Sequence, residues 1–143
     1  MKLKLHHINY STTNVEEMDE FYRSVIGLDR ETEDLLPPLE KKKGYAGDVA
    51  FVTDGDIQVH LAQRDVKAGF STGHIVNPVV RGHIAYRTDD IEAFKKHLES
   101  QGVPFSDWGD TAVKGWKQVF FYDPDGNVIE VHQVDSSSEN QES

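Results

Sequence analysis

The chain has 143 residues, a formal net charge of -10 and no cysteine. That length suffices for one domain with a buried core, and the lack of thiols excludes disulfide staples, thiolate metal sites and cysteine nucleophiles. The acidic balance argues against nucleic-acid binding, which needs clustered Lys and Arg. No apolar run approaches the roughly 20 residues of a membrane span, and MKLKLHH lacks a signal-peptide core, so a cytoplasmic protein with small-molecule partners is expected.

Residues 3–10, LKLHHINY, alternate as a β-strand does. Leu3, Leu5, His7 and Asn9 fall on one face, and Lys4, His6, Ile8 and Tyr10 on the other. Thr13 and Glu16 have capping-box spacing, and Val15, Met18, Tyr22 and Val25 recur at helical spacing up to Gly27. The run EKKKGY at 40–45 reads as a solvated loop. In FVTDGDIQVHLAQ, at 51–63, Gln58, His60 and Ala62 share a strand face opposite Val59 and Leu61. Residues 64–80 have the Gly, Ser, Asn and Pro content of a linker.

The pattern then returns. HINYSTTNVE from His7 and HIAYRTDDIE from His83 are identical at five of ten positions without a gap, an internal repeat. His83, Ala85 and Arg87 take the face equivalent to that of His7, with Ile84 and Tyr86 opposite. Asp89 and Glu92 take the capping positions, Ile91, Phe94 and Leu98 form the apolar stripe, and Gly102 is the stop. WGDTAVKGWKQ, at 108–118, reads as a strand pair. In FYDPDGNVIEVHQ, at 121–133, DPDG is a hairpin turn and Glu130 aligns with His60 of the first copy. Val128, Glu130 and His132 share a face opposite Ile129 and Val131. The predicted domain spans 1–134, with module 1 at about 1–65, the linker at about 64–80, module 2 at about 81–134 and a disordered acidic tail at 135–143.

Each copy thus offers two ionisable groups, from its first and last strands, on the face away from its helix. With the helices on the convex side of a curved sheet, His7, His60, His83 and Glu130 converge. Three imidazoles and a carboxylate suit one divalent transition metal, zinc, nickel, iron, cobalt or manganese, with positions left open for substrate. His7, His83 and Glu130 alone already make a facial triad, in which case His60 stands outside it as a neighbouring group or general base. His6 has no counterpart, because Gly82 holds its place, and is expected toward the helix side or its edge.

The segments HHINYSTTNVEEMDEFYRSVIGL, RGHIAYRTDDIEAFKKHLESQGV and VFFYDPDGNVIEVHQ together resemble the vicinal oxygen chelate superfamily, that of glyoxalases, bleomycin-resistance proteins and extradiol dioxygenases. The resemblance implies an α+β fold of two tandem βαβββ modules, forming a U-shaped mixed sheet around a metal-binding cleft. It carries the ligand roles to His7, His60, His83 and Glu130. It also implies a homodimer whose sites are shared, His7 and His60 from one chain and His83 and Glu130 from the other. A glyoxalase-like lyase, isomerase or epimerase using Glu130 and His60 in catalysis is the first expectation. An iron(II) or manganese(II) dioxygenase and a ligand-sequestering protein are the alternatives. The glyoxalase I pattern carries a carboxylate where His60 stands and an arginine where Ser11 stands. Asn9, Arg87, Trp116 and His132 are expected around the substrate, Arg87 as an anion contact and His132 at the rim, about 7 Å from Glu130 by strand rise.

Overall fold

A computed structural model describes residues 2–124 and 126–135; the predicted tail beyond Asp135 lies outside them. The strands are β1 (Lys4–Thr12), β2 (Asp29–Arg30), β3 (Val49–Thr53), β4 (Gln58–Gln63), β5 (Gly82–Arg87), β6 (Ser106–Gly109), β7 (Trp116–Tyr122) and β8 (Val128–Val134). The helices are α1 (Val15–Phe21), extended by a π turn at Tyr22–Ile26, α2 (Ala68–Thr72) and α3 (Ile91–Ser100). All eight strands form one mixed sheet in the order β2-β3-β4-β1-β5-β8-β7-β6. Within each repeat the first and last strands pair in parallel, β1 with β4 and β5 with β8. The halves meet where β1 pairs antiparallel with β5. The result is an α+β fold of two βαβββ units. Among the described residues, no helix is long and apolar enough to cross a membrane.

Both helices start one residue later than the sequence pattern predicts. Asn14 Oδ1 accepts from Glu17 N at 3.0 Å, and Asp90 Oδ1 from Ala93 N at 3.0 Å, so the caps are Asn14 and Asp90 rather than Thr13 and Asp89. A threonine turn causes the delay in each copy: Thr12 Oγ1 accepts from Asn14 N at 3.1 Å, and Thr88 Oγ1 from Asp90 N at 3.2 Å. These hydroxyls hold the chain extended for one more residue before the helix begins.

The core is unequal in the two halves. Ile91, Phe94 and Leu98 of α3 pack on Val119 and Val131, whereas α1 has no buried residue among those described. Tyr10 and Ile84, expected under helices, are exposed, as are Phe21 and Val25. Residues 64–80, predicted as linker, carry α2 and contribute Ala68 and Val76 to buried clusters.

Residues 31–48 cross to the second half. Leu39 bridges Val113, Glu40 N donates to Ala112 O at 3.0 Å and Lys114 N to Pro38 O at 2.8 Å. Lys43, from the run read as solvated, pairs with Asp110 at 2.8 Å. Residues of β3 (Val49, Phe51) and of β6 and β7 (Trp108, Gln118) line one cavity. The sheet therefore curls, and the 31–48 segment lies over its opening.

Candidate metal centre

Register puts the triad together. Ala85 of β5 pairs with His7 on one side and Glu130 on the other, and its small side chain leaves the space between them free. His83 lies one pleat along on the same face. Glu130 Oε1 stands 3.0 Å from His83 Nε2 and 3.5 Å from His7 Nε2, and one ligand atom from each residue lies within 4.8 Å of the others. All three residues are buried.

His60 stands beside this triad. Its ring stacks on His7 at 3.7 Å and 16°, and its Nε2 lies 2.7 Å from Gln58 Oε1. Gln58 donates its own amide to Leu35 O at 3.1 Å, which orients its oxygen toward His60. His60 therefore donates from Nε2 and keeps its lone pair on Nδ1. Among the described residues, the expected four ligands, joined by His6, fall into two trios sharing His7: His7–His83–Glu130 and His6–His7–His60. Only the first contains a carboxylate. In the second, His6 Nε2 lies 3.0 Å from the Arg87 guanidinium, which repels a cation, so the first trio is the better metal site.

His6 does not turn to the helix side. The β1 register shifts between Leu5 and His7, and such a bulge breaks strict alternation. His6 Nδ1 consequently lies 2.8 Å from His7 Nδ1. The remaining expectations also shift. His132 is fully buried rather than at a rim, with Nδ1 2.6 Å from Glu130 Oε2. Arg87 is absent from the cavity lining; its Nε donates to His132 Nε2 at 3.0 Å, and its guanidinium lies 5.1 Å from the Trp116 ring. Trp116 and Asn9 do line the cavity. One chain brings His7, His83 and Glu130 together.

The donor chemistry fits a metal ion. His83 Nδ1 lies 3.0 Å from Pro78 O, a pure acceptor, so Nδ1 carries the proton and Nε2 the lone pair. That lone pair faces a carboxylate oxygen, an arrangement that a cation placed between the two acceptors satisfies. A carbonyl-oriented histidine of this kind is a common metal ligand. Burial pulls the His7 imidazole down to about 4, partly offset by Glu130. Burial likewise lowers His60 and His132, so these rings are neutral near pH 7, as metal ligation requires. Burial alone would push the Glu130 carboxyl up, but the attraction of His7 and hydrogen bonds led by His132 hold it well below the usual carboxylate range.

The cavity before the triad measures ≈ 60 Å³ and is walled by apolar side chains that include Leu39, Tyr45, Phe51 and Val113. No Lys or Arg among the described residues lines it. Asn9 Oδ1, Trp108 Nε1 and Gln118 Oε1 are buried polar atoms of lining residues without a hydrogen-bond partner. Gln58 and Pro78 went unassigned from sequence; the i, i+2 spacing of Gln58 and His60 was the signal available for the first.

The family model described as the Glyoxalase/Bleomycin resistance protein/Dioxygenase superfamily matches residues 4–131. The chain belongs to this superfamily. A curated superfamily relative, "Glyoxylase I 4" of Arabidopsis thaliana, is 25% identical over 136 residues, covering 92% of this chain and 71% of that protein. Among solved structures, a hypothetical protein from Bacillus halodurans aligns at TM-score 0.67 and 19% identity, covering 93% of this chain and 95% of its own. A Streptomyces coelicolor methylmalonyl-CoA epimerase variant, in complex with 2-nitronate-propionyl-CoA, aligns at TM-score 0.65 and 19% identity, covering 94% and 97%. At these identities the two structures share the superfamily fold with this chain.

Proposed function

We propose that the protein is a cytoplasmic, metal-dependent enzyme of the glyoxalase-like kind, performing lyase, isomerase or epimerase chemistry on a small substrate with two adjacent oxygens. The observation that carries the reading is the buried His7–His83–Glu130 triad at the end of the cavity. His7, His83 and Glu130 would hold a divalent metal ion, which would supply Lewis acidity toward the oxygens of such a substrate. His60 is the base the geometry favours: it is neutral, lines the cavity and is oriented by Gln58 so that Nδ1 is free to accept a proton. Glu130 is less suited to that role, because one oxygen is engaged by His132 and the other faces the two histidine ligands. The apolar walls hold the substrate body, and the orphaned amides of Asn9 and Gln118 supply its polar contacts.

A second reading, a dioxygenase using iron(II), draws support from the same three-residue arrangement with His60 outside it. The relatives named above include an epimerase and a glyoxalase I homologue, which favours the first. The exposed Tyr10, Phe21, Val25 and Ile84 support a homodimer in which each chain carries a whole site.

Elemental analysis of protein purified without chelator or added metal tests both readings. Zinc or nickel at one per chain is the result expected from the first, and iron favours the second. His83→Ala and Glu130→Ala are each expected to lose the metal; full metal content in either variant refutes the site.

A further inference from the structure

We propose that Arg87 is a positioning residue of the metal centre, acting on Glu130 through His132; the proposal rests on the triad reading above. A guanidinium donates hydrogen bonds and never accepts them. Its Nε stands 3.0 Å from His132 Nε2, and its Nη2 stands 3.0 Å from His6 Nε2. His132 Nε2 therefore accepts, and the single proton of its neutral ring sits on Nδ1. His132 Nδ1–H then donates to Glu130 Oε2 at 2.6 Å. The guanidinium thus reaches the triad carboxylate through one imidazole.

The arrangement decides which oxygen of Glu130 is available. His132 engages Oε2, so Oε1 alone faces His7 and His83. With the opposite tautomer, His132 would present a lone pair to the carboxylate and push it out of place. Stacking limits the alternatives: the guanidinium lies over Trp116, and Trp116 stacks on His132 at 4.1 Å and 20°. Register supplies the rest, because Arg87 pairs with His132 across β5 and β8, while the β1 bulge turns His6 to the same side. A lysine is a poor substitute, since an ammonium lacks the planar face that lies over Trp116 while Nε donates to His132.

The tautomers are read directly by two-bond ¹H–¹⁵N correlation on histidine-labelled, metal-free protein. His132 is expected to carry its proton on Nδ1, and a proton on its Nε2 in the wild type overturns the proposal. Arg87→Met is expected to shift His132 toward the Nε2–H form and to weaken zinc binding, measured by chelator competition, by about 10- to 100-fold. Arg87→Lys is expected not to restore it. Wild-type zinc affinity in Arg87→Met overturns the proposal. Retention of stoichiometric zinc by His83→Ala instead overturns the triad itself, a separate failure, and the wild-type tautomers, read without metal, still decide the role of Arg87.

Discussion

Gly82 opens β5 immediately before His83, with φ +121°. A Cβ at this position would overlap the carbonyl oxygen of Asn9, and would stand 3.0 Å from that carbonyl carbon and 3.2 Å from Tyr10 Cα. These are backbone atoms of β1 and cannot swing aside as a side chain does, so Gly82→Ala must separate the two central strands. The left-handed φ alone costs about 1–2 kcal/mol for an L residue, and forcing the strands apart adds about 1–3 kcal/mol. Gly102→Ala is the control, since Gly102 has φ +69° and nothing within 4 Å of its Cβ position, so it carries only the first cost. Urea slopes for small domains are about 1–3 kcal/mol per molar. The Gly82→Ala midpoint is therefore expected about 1 M below that of Gly102→Ala. Because Asn9 pairs with His83 across β1 and β5, the strand separation also displaces a triad residue, and zinc affinity is expected to fall in Gly82→Ala but not in Gly102→Ala. Urea titration by circular dichroism and zinc–chelator competition measure the two effects. Equal stability and equal zinc affinity in the two variants would refute the reasoning.

His60→Ala is expected to keep one metal per chain while losing turnover, whereas loss of the metal would restore His60 to the ligand set. Asn14→Ala should cost about 1 kcal/mol through its lost cap, and Thr13→Ala much less; equal losses in thermal melts would contradict the cap assignment. In metal-free protein, His7 is held at about 4 by burial, below the ordinary imidazole value of 6.5, so between those values the unfolded chain binds the extra proton. The stability from this group is present above about pH 6.5 and is lost as pH falls toward 4, by about 3 kcal/mol in all. A flat urea midpoint across that window argues against a buried neutral His7. Light scattering should give a dimer mass at micromolar concentration, and a monomer there refutes the assembly proposed.

Much of the fold was legible because the repeat is written in the residues: the match of His7 with His83 and of His60 with Glu130 depends on spacing alone. Placing His7, His83 and Glu130 on one face needed only strand alternation. His6 was misplaced because a bulge adds a residue without a compositional mark. His132 was misread as peripheral because distance along a strand does not report how far a sheet curls over itself. Arg87 lies on the expected face, but its partners come from β1 and β8, and those contacts arise only when three strands are side by side. The helix starts slipped by one residue because Thr12 and Thr88 cap the turn from outside the helix.

The strand order also sets when the metal centre can exist. β1, which carries His7, is bordered by β4 and β5, and Glu130 arrives on β8. None of the triad is local in sequence, so loop-closure entropy must be overcome before any of its contacts form. As the chain emerges from the ribosome, His7 waits through most of synthesis for the strands that will flank it. The one carboxylate of the triad comes last, so capture of a metal by the proposed site would follow the assembly of these strands during synthesis.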